Sequence, residues 1–183
     1  THNIQKFRAK QLIDYIYHRY IFDFEDMTQF PKDLRQWLGD NCVISLPTLI
    51  TESIAPDGKT RKILVEMSDQ SRVEAVLMEQ HYGYSVCVSS QVGCAMGCVF
   101  CASTQGGLYR DLTVAEIIGQ VVIFGALTKE EIHSVVVMGA GEPLQNYDNV
   151  LQALQLLHDP MICNISYRKM TISTCGWVPN IYK

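Results

Sequence analysis

The sequence predicts an α/β fold: a small helical segment, a short β-meander and then three strand–helix units of a parallel sheet. Three observations carry this reading. Apolar residues recur at helical spacing over the first forty positions, alternate from Leu46 to Met78, and from Tyr84 onward form strand-like and helix-like runs in turn. Strands that alternate with helices imply parallel pairing and βα units.

Ile4, Phe7, Leu12, Ile16 and Tyr20 predict an amphipathic helix over 3–20. A second helix starts at Pro31, a residue tolerated at the first helical position, carries Leu34, Trp37 and Leu38, and stops at Gly39. Segments 49–54, 62–67 and 73–78 read as strands, with Asp57 and Gly58 as a hairpin turn and Asp69 to Ser71 as a looser one. Then follow a strand over 85–89, a helix over 113–127 with Ile117, Ile118, Val121 and Val122 inward, a strand over 134–138, a helix over 148–157 and a strand over 169–173. The expected division is 1–45 helical, 46–80 meander and 81–183 α/β core.

At 183 residues, 48% hydrophobic and 19% charged, the chain falls among soluble globular proteins with a real core. No apolar run approaches the roughly 18 residues of a membrane span. No signal peptide opens the chain, so its seven cysteines point to metal binding or catalysis in a reducing compartment, the cytosol. The net charge of -4 argues against a simple nucleic-acid binder, but residues 1–62 carry +1 and the remainder -5. Lys6, Arg8 and Lys10, and Lys59, Arg61 and Lys62, are the basic clusters. Each is either a solvated face or a set of RNA phosphate contacts.

Four of the cysteines, 87, 94, 98 and 101, lie within fifteen residues, and Cys94, Cys98 and Cys101 form a CxxxCxxC. Soft thiolates select zinc, copper(I) or iron–sulfur clusters. Structural zinc wants four protein ligands, usually as two separated pairs. Three closely nested cysteines suit a 4Fe-4S cube with one iron left open. A closed electron carrier does not need that opening.

The motif resembles the cluster loop of the radical S-adenosylmethionine (SAM) superfamily, in which SAM chelates the open iron. Four further stretches narrow the resemblance to the RlmN/Cfr-type RNA adenine methyltransferases: Cys-Val-Ser-Ser-Gln-Val-Gly-Cys from Cys87, Arg-Asp-Leu-Thr-Val-Ala-Glu from Arg110, Met-Gly-Ala-Gly-Glu-Pro-Leu from Met138 and Thr-Ile-Ser-Thr from Thr171. This resemblance implies a partial radical SAM (β/α) barrel whose first three units are present, preceded by an accessory helical domain that helps hold RNA. It implies a 4Fe-4S cluster on Cys94, Cys98 and Cys101, and SAM against Gly141, Glu142 and Ser173. Cys87 matches the family's cysteine that resolves a protein–RNA adduct, and Glu74 its general base. Read without the family, Glu74 is first an exposed edge carboxylate and only second a general base.

The implied reaction methylates carbon 2 of an adenosine in 23S rRNA, with tRNA as a further candidate and, as the alternative, methylation of carbon 8 or another radical SAM reaction on the same scaffold. Carbon 2 lies between two ring nitrogens and is too electron-poor to attack the methyl of SAM. The family therefore works through a 5′-deoxyadenosyl radical and a methylated carrier cysteine, for which 1–183 offers no counterpart. Three units do not close a barrel, and because the family's carrier cysteine lies near the C-terminus, the resemblance implies a carrier beyond Lys183. A low-potential electron donor such as flavodoxin is an implied partner. Cys42 and Cys163 read as small core or loop cysteines. Leu108 and Trp177 depart from the family pattern and leave the subfamily open. The reading from a different class is a non-catalytic iron–sulfur or zinc module with Cys87 or Cys175 as fourth ligand.

Overall fold

Strand β3 (Arg72–Gln80) joins the two halves of the sheet that organises the molecule. The computed structural model describes residues 5–183. On one side β3 pairs antiparallel with β2 (Thr60–Glu66), and β2 with β1 (Thr48–Ile54). On the other it pairs antiparallel with β4 (Gly83–Val88), which lies parallel to β7 (Ile132–Val137), itself parallel to β8 (Met170–Ile172). Meander and βα units thus form a single six-stranded sheet. Each meander strand falls where the alternation predicts it, with ends displaced by at most two residues.

Alternation gives this sheet two unlike faces. Ile63, Val65, Ala75, Leu77, Val86 and Val135 point to one face and are buried under the helices. The residues between them, Lys62, Leu64, Glu74, Val76, Ser85 and Cys87, point to the other. Helix α3 (Val114–Thr128) covers the apolar face with α4 (Tyr147–His158) beside it. The inward positions Ile117, Ile118, Val121 and Val122 are all buried. Its start is fixed by a capping box in which the Thr113 hydroxyl accepts from the Glu116 N–H and the Glu116 carboxylate accepts from the Thr113 N–H.

The helical segment has a second core of Tyr15, Phe24, Met27, Phe30 and Leu38, while Tyr17, Tyr20 and Phe22 lean on the main one. Helix α1 spans Lys6–Tyr17, shorter than the predicted 3–20, and Ile4 lies outside the described residues. The chain turns before Tyr20, which adopts a left-handed φ of 54°. Helix α2 spans Lys32–Asn41, so Pro31 is its N-cap and Gly39 does not end it. Bonds from the Cys42 N–H to the Leu38 carbonyl and from the Asn41 amide to the Trp37 carbonyl, both 2.8 Å, carry the last turn past the glycine.

Candidate functional site

The parallel strands end where the conspicuous motifs begin, at the sheet edge where α/β folds gather their chemistry. The cysteine loop leaves through β5 (Gln91–Gly93) and returns through β6 (Leu108–Asp111), an antiparallel ribbon that the sequence reading took for plain loop. Gly93, at φ 76°, makes the ribbon possible, because a side chain there would strike the Gly107 carbonyl. Within the loop the Cys94 N–H donates to the Gly107 carbonyl at 3.0 Å, and Thr104 Oγ1 accepts from the Gly97 N–H at 2.9 Å. The Cys101 N–H donates to the Cys98 carbonyl at 3.0 Å. Cys94 is buried and Cys98 and Cys101 are half-buried, while Val99 and Phe100 at the tip stand in solvent.

Cys101 also lines a cavity of about 560 Å³ together with Glu74, Cys87, Ser103, Met138 and Gly139. Cys87 and Glu74 meet there because Cys87 pairs with Val76, two residues from Glu74 on the same face. Such diagonal neighbours lie about 7–8 Å apart. Burial pushes the Cys87 thiol up, opposed by a hydrogen bond from the Met138 backbone, so at neutral pH it rests protonated. The Glu74 carboxylate is exposed and pairs with Lys62 Nζ at 2.9 Å. It does not sit on an edge, since β3 is interior to the sheet.

Gly141, Glu142 and Ser173 lie in the neighbouring loops. Gly141 has φ 104°, and a Cβ there would lie 2.8 Å from the Gln91 backbone nitrogen. Glu142 is only 2% exposed, and its carboxylate accepts from the Leu144 N–H at 3.0 Å, Thr174 Oγ1 at 2.7 Å and the Cys175 N–H at 2.8 Å. Burial alone would raise this carboxyl; bonds from the Cys175 thiol and N–H, Thr174 and Leu144 outweigh it and hold it below the usual range. The same contact pushes the Cys175 thiol up to about 11. Ser173 is exposed, its N–H donating to the Val137 carbonyl at 3.2 Å.

Beneath these loops lies a buried polar layer that the sequence reading missed. Gln120 accepts from the Ser89 N–H at 2.8 Å and donates to the Ser89 carbonyl at 3.1 Å. Ser89 Oγ donates to the Glu74 carbonyl and accepts from the Ala140 N–H. Asn146 donates to the Ser90 and Leu112 carbonyls at 2.8 and 2.7 Å. The signal was present in Ser-Ser-Gln directly after an apolar strand and in a glutamine inside the apolar run of α3. At the rim, Arg110 bonds both Asp69 and Glu116, tying the meander turn to the start of α3. The Arg110 bond is the main cause holding the Asp69 carboxyl well below the usual range.

Of the basic clusters, Arg61 pairs with Glu52 and Lys62 with Glu74, and Arg8 bonds the Gln29 carbonyl. Cys42 is exposed, whereas Cys163 packs against the core, where burial pushes its thiol up to about 12. Among the described residues no helix is long and apolar enough to cross a membrane.

Three parallel strands, β4, β7 and β8, with a sulfur-rich loop at their C-terminal ends form the parallel half of this mixed sheet, a layout suited to a scaffold that carries a metal cluster. Residues 88–183 match the model of the radical SAM superfamily, and the chain belongs to that superfamily. Residues 1–44 match the ribosomal RNA large subunit methyltransferase N-terminal domain. The chain is similar to proteins named probable dual-specificity RNA methyltransferase RlmN, at 49% identity from Symbiobacterium thermophilum and 46% from Clostridium perfringens, covering 96% of this chain in each case. It covers 48% and 50% of their lengths, so the chain spans about half of these relatives. A crystal structure of a radical SAM methyltransferase from Sphaerobacter thermophilus superposes with a TM-score of 0.90 at 37% identity, over 97% of this chain and 53% of that one.

A 4Fe-4S cluster and SAM are the cofactors of this superfamily, and the donor set fits the cluster. From Cys94 to Gly107 the loop carries no Asp, Glu, His, Lys or Arg, so its thiols are its only strong metal donors. Among the described residues no three His, Cys, Asp or Glu side chains close on a single ion position. Three thiolates that each go to a different iron of a cube, with the fourth iron left open, do not need to.

Proposed function

We propose that this chain carries the cluster-binding and SAM-binding part of a radical SAM methyltransferase that modifies an adenosine base in RNA, at carbon 2 in 23S rRNA and tRNA. The cavity that joins Glu74, Cys87 and Cys101 carries the reading, because a base, a thiol and a cluster ligand share one space at the strand ends. The cluster and SAM, when bound, supply the radical chemistry that an electron-poor ring carbon needs. Cys94, Cys98 and Cys101 hold the cluster, and Gly141, Glu142 and Ser173 border SAM. The Glu142 carboxylate is already saturated by protein donors, so its loop offers SAM backbone groups and a fixed shape.

Cys87 and Glu74 divide the remaining work. The protonated Cys87 thiol survives beside a cluster without competing for iron, and it becomes a nucleophile only when a base takes its proton. In this reading Glu74, which lines the same cavity and pairs with Lys62, accepts a proton from the adenine carbon. The family domain at 1–44 supports RNA as substrate, and the reading is completed by a cytosolic setting and a low-potential electron donor such as flavodoxin. The test is a strain lacking its own adenine-carbon-2 methyltransferase, complemented with the complete gene, whose 23S rRNA and tRNA are digested to nucleosides. The expected product is 2-methyladenosine. Its replacement by 8-methyladenosine moves the target carbon, and unmodified adenosine in both RNAs contradicts the proposal.

A further inference from the structure

The cysteine loop and the Gly-Glu-Pro loop are separate excursions of the chain, yet a cluster held by one and a cofactor bordered by the other must keep a fixed separation. One side chain bridges them. Gln91 is completely buried; its amide Nε2 donates to Asp111 Oδ1 at 2.7 Å and its Oε1 accepts from the Glu142 N–H at 2.8 Å. The chemistry of the two neighbours fixes the amide's orientation, since a carboxylate only accepts and an N–H only donates. The backbone adds a third tie, from the Gln91 N–H to the Ala140 carbonyl at 3.1 Å. Gly141, lacking a Cβ, lets the second loop close onto Gln91.

We infer that Gln91 is a positioning residue that sets the cysteine ribbon and the Gly141–Glu142 loop in register, and so fixes where SAM sits relative to the cluster. The consequence runs further through Glu142, whose carboxylate orders the Thr174–Cys175 loop. One buried amide therefore aligns three strand-end loops. An apolar residue of similar size fills the space but leaves the Glu142 N–H and Asp111 without their partner. This assignment rests on the proposed SAM site, whereas the bridge itself is independent of any cofactor.

The test exploits the donor and acceptor ends. Gln91→Glu keeps an acceptor for the Glu142 N–H but sets a second carboxylate against Asp111; Gln91→Glu with Asp111→Asn restores the bond with donor and acceptor exchanged. In the cluster-loaded protein we expect Gln91→Glu to keep its iron, to bind SAM about tenfold more weakly, the scale at which outer-shell partners act, and to lose the SAM-induced change in the reduced cluster's EPR signal. The double variant is expected to recover both. In the cofactor-free protein, amide exchange at Glu142 and Leu144 should accelerate in Gln91→Glu and slow again in the double variant. Wild-type SAM affinity in Gln91→Glu, or a double variant as impaired as the single, overturns the inference. If the wild type binds no SAM, the exchange data still decide the bridge, and it is the proposed cofactor site that fails.

Discussion

The base and the tip of the cysteine loop are built on opposite principles. At the base, Ser89, Ser90 and Gln91 are polar and wholly buried, their bonds running to Gln120, Ala140, Asn146, Asp111 and Glu142. At the tip, Val99 and Phe100 are apolar and essentially fully exposed. Folding alone favours the reverse, because burying a polar group costs free energy unless its bonds are remade. Buried polar bonds are directional and fix backbone position in a way apolar packing does not. The base is thus held by geometry, and the tip presents apolar surface to solvent.

Removing Gln120 strikes that base hardest. Gln120→Leu leaves the N–H and the carbonyl of the fully buried Ser89 unpaired, at about 1–3 kcal/mol each. The expected loss is about 3 kcal/mol, read as a fall of roughly 10 °C in melting temperature for a chain of this size. An unchanged melting curve would mean that the layer contributes shape without stability.

This region marks the limit of what was legible in the sequence. Element types followed from periodicity, because alternation and helical spacing are local, and β1 to β4, α3, β7, α4 and β8 fall where the pattern puts them. The CxxxCxxC was legible as a candidate motif because its spacing is local too. Partners across the chain were not: Gln120 reaches back 31 positions to Ser89, and Glu142 forward 33 to Cys175. Nothing in a run of Ser-Ser-Gln says which distant backbone groups will need satisfying. Gly39 misled for a related reason, since a glycine near a helix end signals a stop only when the backbone there turns left-handed.

A smaller effect belongs to Arg110, the rim counterpart of the base. Its pairs with Asp69 and Glu116 are partly exposed, so Arg110→Met should cost about 1 kcal/mol, less in high salt. The pH dependence has a definite sign. The Asp69, Glu116 and Glu142 carboxyls are all held below their ordinary values in the folded protein. The stability they add is complete above the ordinary carboxylate range and is lost as pH falls through their folded values. Melting temperature should therefore be flat near neutrality and fall below about pH 4. Asp69→Asn should make that acid limb shallower; an unchanged limb would detach Asp69 from it.

Least affected should be the tip. Phe100→Ala removes a side chain 91% exposed and is expected to move stability by no more than about 0.5 kcal/mol. A larger loss would show that Phe100 is covered in solution, and the contrast between base and tip would narrow.

The most direct measurement is the iron and sulfide content of anaerobically reconstituted wild type beside Cys94→Ala, Cys98→Ala, Cys101→Ala and Cys87→Ala. The wild type should hold about four irons and four sulfides per chain, as one cube does, and each of the first three variants should lose them. Cys87→Ala should keep its full complement, because Cys87 lies on β4, across the cavity from the loop. A full cluster in Cys98→Ala, or an empty Cys87→Ala, would contradict the assignment of the cluster to Cys94, Cys98 and Cys101.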